Sequence, residues 1–268
     1  MIPAPFEYKR AQTVEEAIEW LGQYGDEAKV LAGGHSLIPS MKLRLSRPAV
    51  LVDIGRIEAL RGIREEGDVL AIGANTTHAD IASSPLVEEH ANVLSQAAAS
   101  IGDVQVRNVG TIGGSLAHAD PAADYPAAVL ASEAVIVVQG PRGKREVRAE
   151  DFFVGMFTTA LEEQEIIVEV RVPKGSSGVY LKFKQPASRF ALVGVAAVKR
   201  GDRVHVGITG ASDTPYRATA VEQAYPQEGV EAAKYAAEGA EMLEDHFATA
   251  AYRAHLARVL TRRALEAL

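Results

Sequence analysis

Two stretches of this chain carry paired glycines beside hydroxyl residues, one of them where an apolar strand gives way to a helix, and that arrangement narrows the fold more than any other feature. Lys29-Val30-Leu31 reads as a strand, Ala32-Gly33-Gly34-His35-Ser36 follows it, and a helical stretch opens at Leu37. Thr111-Ile112-Gly113-Gly114-Ser115 has the same character inside a glycine-dense segment from Val109 to Ala119. Glycines at such a turn expose backbone amides and let an anion come close to the start of the helix. Ser36, Thr111 and Ser115 add hydroxyl groups. The plain alternative for the first string is a tight turn with Ser36 as N-cap, and the string alone does not separate the two readings. Two such loops together suit a dinucleotide, whose pyrophosphate would be clamped from opposite sides by two nests of amides. Neither the Rossmann nor the Walker glycine fingerprint occurs.

The surrounding pattern is mixed α+β. Thr13-Val14-Glu15-Glu16 fits a capping box, and Val14, Ala17, Ile18 and Leu21 recur at helical spacing, predicting a helix to about Gly22. Strands are expected at 29–31, 49–53, 69–72, 133–139 and 166–172. Thr77 should cap a short helix, and an Ala-rich helix should run from Pro85 to Ile101. Residues 173–178 look like a linker. Beyond them, 179–184, 192–199 and 203–209 read as three antiparallel strands, with Gly201-Asp202 as a hairpin turn. Helices over 228–243 and 246–268 should close the chain. The division expected is 1–55 and 56–174 as two lobes and 175–268 as a C-terminal domain.

Composition excludes several classes of function. A net charge of -7 over 268 residues offers no basic footprint, so nucleic acid and anionic membrane surfaces are poor partners. No apolar run is long enough to span a bilayer, and Met1-Ile2-Pro3-Ala4-Pro5 lacks the plan of a secretory signal, so a cytoplasmic location is expected. The absence of cysteine removes disulfides, thiolate nucleophiles and Cys-ligated iron–sulfur clusters from this chain. Any such centre must sit on a partner.

His118-Ala119-Asp120-Pro121-Ala122-Ala123-Asp124 could be read as a metal site, but three mixed ligands in an irregular loop define no geometry. No metal is predicted; capping and hydrogen bonding suit the segment better, with Asp124 placed to cap a helix starting at Tyr125. No catalytic triad, paired-carboxylate or Schiff-base arrangement follows from spacing, so no catalytic residue is assigned. His35, His118, Tyr125 and Lys184 could each be solvated or structural.

Taken together, Pro5-Phe6-Glu7-Tyr8, Ala32 to Pro39 and above all Arg107 to Asp124 resemble the FAD-binding subunits or domains of molybdenum hydroxylases, and the match continues through Glu165-Ile166-Ile167, Phe183-Lys184-Gln185 and Val193 to Ala197. The resemblance implies a two-lobed FAD-binding domain of the vanillyl-alcohol oxidase (PCMH) type, followed by a three-stranded antiparallel sheet with a helical bundle. It implies that Ala32, Gly33, Gly34, His35, Ser36 and Leu37 hold FAD together with Thr111, Ile112, Gly113, Gly114 and Ser115. His118 and Asp124 would contact the ribityl or adenine-side portion, and Ile101, Ile167 and Lys184 would lie near the isoalloxazine. It further implies partners: a large subunit carrying the molybdenum cofactor and a small subunit carrying two [2Fe–2S] clusters, assembled as a dimer of heterotrimers. Electrons would pass from the clusters through FAD to an external, non-NAD acceptor.

His35 in the first loop leans toward the carbon monoxide dehydrogenase branch. Related hydroxylases of aldehydes, purines and N-heterocycles share such a subunit, because the substrate pocket lies elsewhere. A stand-alone flavin oxidoreductase would need a substrate cap, for which the chain after the flavin landmarks leaves little room. A scaffold that had lost FAD would not need the intact glycines.

Overall fold

The computed structural model describes residues 1–175 and 177–268; Ser176, within the expected linker, lies outside the described residues. The first unit comprises β1 (Glu7–Arg10), α1 (Val14–Tyr24), β2 (Ala28–Leu31), α2 (Leu37–Lys42) and β3 (Val50–Asp53), with the strands parallel in the order β1-β3-β2. Extended Thr13 starts α1 by accepting from the Glu16 amide at 3.1 Å. The second half of the capping box closes one residue early, because the Glu16 carboxylate takes the Gln12 amide at 2.6 Å. Val14, Ala17, Ile18 and Leu21 form a buried stripe that packs with Val50 and Val52 of β3 and reaches Val137, Ile166 and Val168 of the next sheet.

The second unit runs β4 (Ile63–Glu66), β5 (Val69–Gly73), α3 (His78–Ser83), α4 (Pro85–Ser100), α5 (Val104–Arg107), α6 (Ile112–His118), α7 (Tyr125–Ala131), β6 (Val135–Gly140), β7 (Gly143–Arg148), α8 (Ala149–Phe152), β8 (Phe153–Gly155), β9 (Thr158–Thr159) and β10 (Ile166–Pro173). Its sheet is antiparallel, ordered β4-β5-β10-β6-β7, while β8 and β9 form a separate small hairpin. Pro85 opens α4 as expected, and the structure adds a cap at Ser84, whose hydroxyl accepts from the Val87 amide at 3.4 Å. The helix bends at Ala91, whose backbone leaves the helical region.

The C-terminal unit holds β11 (Ser177–Lys184), β12 (Ala191–Arg200), β13 (Arg203–Thr209), β14 (Tyr216–Arg217), α9 (Thr219–Glu228) and α10 (Ala250–Glu266). Its sheet is antiparallel and Arg200 faces Arg203 across the expected Gly201-Asp202 turn. Three strands are expected here and a fourth is found, because two-residue β14 adds itself to β13. The helix expected over 228–243 is corrected to α9 followed by a 3₁₀ segment at Gly229–Tyr235. Gly229, at positive φ, ends α9 and opens the 3₁₀ segment. The last helix starts at Ala250, where the Thr249 hydroxyl accepts from the Tyr252 amide at 3.3 Å.

The units share a core through α7, whose residues are all buried. An apolar helix without a polar face needs neighbours on every side, and α7 has β12 and β13 on one flank and α4, α6 and α8 on others. One continuous cluster therefore joins Leu70 and Ile136 of the five-stranded sheet, Tyr125 to Ala131, and Ala196 and Val198 of β12. At the closest approach a β-carbon on Gly207 of β13 would collide with the Ala127 carbonyl. Gly207→Val should therefore lower the stability to urea by roughly 3 kcal/mol, the upper end of the cost of overpacking; an unchanged denaturation midpoint would mean that this packing is looser than described.

Candidate functional site

The two glycine loops are brought into contact. A β-carbon on Gly33 would collide with the Val109 carbonyl and lie 2.8 Å from the Gly110 Cα, so only glycine lets the turn after β2 meet the approach to α6. Gly34 has φ 71°, and the His35 ring is tied back across the turn by Nδ1 at 3.0 Å from the Gly33 carbonyl. Among the described residues, no protein acceptor takes the amides of residues 33–37. A run of unpaired N–H groups beside exposed His35 and Ser36 is a nest for an anion. The alternative reading of this string fails in one respect: Ser36 precedes α2 but makes no side-chain cap.

The second loop does not repeat that chemistry, which corrects the expectation of two amide nests. Its amides are consumed within the fold: Ile112 N–H donates to Thr76 O at 3.1 Å, Gly113 to Ala74 O at 2.8 Å, and Ser115 to Thr111 O at 3.0 Å. The Gly114 amide donates to the Thr111 hydroxyl at 3.2 Å, so Thr111 is a buried N-cap. Glycine is required at 113 because a β-carbon there would sit 2.6 Å from Ala74 Cβ. The loop is thus stapled to the end of β5, and the Ile112 side chain points into the core. What it offers outward is the bare surface of Gly114, partly exposed Ser115 and exposed His118.

Beneath the junction lies His78, buried, its Nδ1 3.3 Å from the Tyr125 hydroxyl and its Nε2 against Gly110. Burial, with the neighbouring charges of His35 and Arg107, brings its pKa down to about 4. The imidazole is therefore neutral at neutral pH.

The stretch from His118 to Asp124 is held from both sides. Ala119 O accepts from the Phe157 amide at 3.2 Å, Ala122 O from Ala191 at 3.1 Å, and Pro121 O from Gly210 at 2.7 Å. The Asp120 carboxylate caps Ala122 N–H at 2.9 Å, and the His118 ring lies 5.2 Å from that of Phe157. Asp124 is not the N-cap expected: it makes no capping bond to α7. Instead its Oδ1 accepts from Tyr180 Oη at 2.6 Å and Lys182 Nζ at 2.7 Å, in a pair almost wholly buried. Burial pushes its carboxyl upward, against the pull of the Lys182 ammonium and the Tyr180 hydroxyl. Among the described residues, no group of three or more His, Asp or Glu could hold a metal ion.

Of the remaining predicted positions, Ala32 and Leu37 flank the first turn half-buried, and Ile101 ends α4 half-buried against the core. Ile167 is almost wholly buried at a β-bulge in β10, and Lys184 is exposed. Sequence reasoning missed His78, Tyr180 and Lys182. Strand alternation places 180 and 182 on one face, but nothing local points to their partner nearly sixty residues earlier.

The fold is α+β, and what it sets out for an anionic ligand is a turn with unpaired amides packed against a second glycine loop. Residues 4–175 match the family model described as FAD binding domain in molybdopterin dehydrogenase, and residues 178–268 that of the CO dehydrogenase flavoprotein C-terminal domain. The chain belongs to this FAD-binding family of molybdopterin dehydrogenases. It is 43% identical to the carbon monoxide dehydrogenase medium chain of Hydrogenophaga pseudoflava, with 100% of this chain and 98% of that one covered. It is 36% identical to the 6-hydroxypseudooxynicotine dehydrogenase complex subunit alpha of Paenarthrobacter nicotinovorans, over 99% and 95% of the two chains. Among solved structures it superposes on carbon monoxide dehydrogenase from Hydrogenophaga pseudoflava with a TM-score of 0.95 at 44% identity, covering 100% of this chain and 98% of that one.

His78 gives a pH signature. Its folded pKa lies below the unfolded value near 6.5, so the unfolded chain binds the extra proton and stability falls as pH drops through the window from about 6.5 to about 4. Between pH 7.5 and pH 5 the wild type should lose roughly 2 kcal/mol more urea stability than His78→Gln. Equal losses in the two proteins would show that His78 is not held neutral.

Proposed function

We propose that this chain is the FAD-carrying, electron-transferring subunit of a molybdenum hydroxylase of the carbon monoxide dehydrogenase type. It would receive electrons from [2Fe–2S] clusters on a small partner subunit and pass them to an external acceptor, while a large subunit with the molybdenum cofactor oxidises the substrate. The observation that carries this reading is the unpaired run of amides at 33–37, held against the second glycine loop by the contact at Gly33. Full-length likeness to a carbon monoxide dehydrogenase medium chain supports it. The likeness to a subunit of the 6-hydroxypseudooxynicotine dehydrogenase complex favours a second reading, in which the partner enzyme hydroxylates an N-heterocycle.

The residues fit a flavin dinucleotide. Amides 33–37 with Ser36 and His35 would take the pyrophosphate, and Gly114, Ser115 and His118 would form the facing wall. Asp124 would accept from a flavin hydroxyl, and Ile101, Ile167 and Lys184 would lie toward the ring end. Ala32, Leu37, Thr111, Ile112 and Gly113 act by holding the two loops in place. Bound FAD supplies redox exchange in one- or two-electron steps. The chain's own work is to bind it, orient it and exclude water from it. The segments 1–55, 56–174 and 175–268 are the proposed domains. Among the described residues no helix is long and apolar enough to cross a membrane, and a cytoplasmic location, partners in a dimer of heterotrimers and a non-NAD acceptor complete the reading.

The test is a visible spectrum of the purified chain before and after FAD is added. The wild type should acquire bound-flavin bands, and Gly33→Ala, which pries the loops apart, should weaken FAD binding by at least about tenfold, the loss of one or two good hydrogen bonds, with its far-UV circular dichroism unchanged. A wild-type chain that stays colourless, even beside its partner subunits, would sink the proposal.

A further inference from the structure

The buried ion pair between Asp124 and Lys182 contains one of the proposed flavin contacts, and its geometry is lopsided. Tyr180 Oη and Lys182 Nζ both bond Asp124 Oδ1, at 2.6 and 2.7 Å. No donor among the described residues reaches Oδ2, nor is Oδ2 among the buried polar atoms left without a partner. One carboxylate oxygen is thus fixed by protein and the other remains open. Lys182 also donates to the Ser100 carbonyl at 2.9 Å, at the end of α4. The next two carbonyls are held the same way, Ile101 by Arg107 at 2.8 Å and Gly102 by Arg189 at 3.3 Å. Three cations thus hold three successive carbonyls at the C-terminal end of a sixteen-residue helix, where the helix dipole favours positive charge. Lys182 is the one whose ammonium also holds a carboxylate.

We infer that Lys182 is a positioning residue for FAD: through one ammonium it fixes the Asp124 carboxylate, with Oδ2 presented to a flavin hydroxyl, and sets the place of the Ser100–Ile101 backbone. The inference rests on the reading of Asp124 and Ile101 as flavin contacts. It gives β11 a second working cation, buried Lys182, beside the exposed Lys184 proposed for the ring end. Tyr180 and Lys182 share a strand face by simple alternation, but the pairing with β12 shifts between Phe183 and Lys184, so the alternation does not carry to 184.

The test uses the full chain with FAD as probe. Lys182→Gln removes the charge but leaves a donor near Asp124, and Lys182→Met removes both. Dissociation constants come from quenching of flavin fluorescence at pH 6 and pH 9, beside the unfolding midpoint without FAD. The titratable groups facing Asp124 are Lys182, Tyr180 and Tyr125, and burial raises both phenols well above their ordinary range, so they stay neutral at both pH values. Without its cation the Asp124 carboxyl loses the pull that opposes burial, so its pKa moves further upward and the protonated form gains most at the lower pH. The Gln variant should bind FAD about tenfold more weakly than wild type at pH 6 and no more than about threefold more weakly at pH 9, the Met variant somewhat worse at each.

A folded variant with wild-type affinity at both pH values overturns the inference. So does an equal loss at both, which would mark Lys182 as a packing residue only. Should neither Lys182 variant show a folding transition, Tyr180→Phe decides: it removes one donor from Oδ1 and no charge, and should weaken binding about threefold, the value of a modest hydrogen bond, where an unchanged constant overturns. A wild-type chain with no affinity for FAD overturns the flavin reading and this inference together, whereas normal wild-type binding with unaffected variants overturns this inference alone.

Discussion

Everything at this site depends on one contact made without side chains, the meeting of Gly33 with Val109 and Gly110. The parallel three-stranded sheet and the antiparallel five-stranded sheet have separate strand pairings, and the loops that leave them could not approach this closely if residue 33 carried a β-carbon. The contact has a division of labour behind it. The second loop spends its amides on Ala74, Thr76 and Thr111 and so becomes rigid, whereas the first keeps its amides free. A firm wall facing an unsatisfied one suits an anion better than two open nests, because the open loop is ordered before any ligand arrives.

Around that junction the charges are arranged in the same spirit, with the Lys182–Asp124 pair the buried part of the set. Lys182, Arg107 and Arg189 hold the end of α4, and Lys182 with Tyr180 holds Asp124. A buried ion pair is weak support for stability, since desolvation offsets most of the attraction. Its worth here is directional: it keeps a carboxylate in one orientation at the boundary between the second unit and the C-terminal sheet.

Most of the fold is legible in the sequence, and the larger misses have physical causes. The central strands β3, β5, β10, β12 and β13 announce themselves as apolar runs because they are covered. The missed strands β1, β4 and β7 are sheet edges carrying Lys9 and Arg10, Arg64 to Glu66, and Lys144 to Glu146. Charge guards an exposed edge, and the same charge erases the strand pattern. The glycine loops and the caps at Thr13 and Thr77 are readable because their partners are within a few residues. The partners of Asp124 and His78 come from other elements, so local reasoning assigned one a cap and overlooked the other. The helix expected over 228–243 is misplaced because alanine content favours helix, whereas Gly229 at positive φ ends the α-helix at Glu228 and only a 3₁₀ segment follows.

The burial of α7 on every side bears on how such chains diverge. Family models divide the sequence near residue 176, yet the helix that fills the C-terminal sheet's inner face belongs to the segment before that point. Grafting the C-terminal segment of one relative onto the flavin-binding segment of another would pair β12 and β13 with a foreign α7. The exchangeable module therefore includes residues 125–131, and covariation between those positions and Gly207, Ala196 and Val198 is the trace that a shared history would leave.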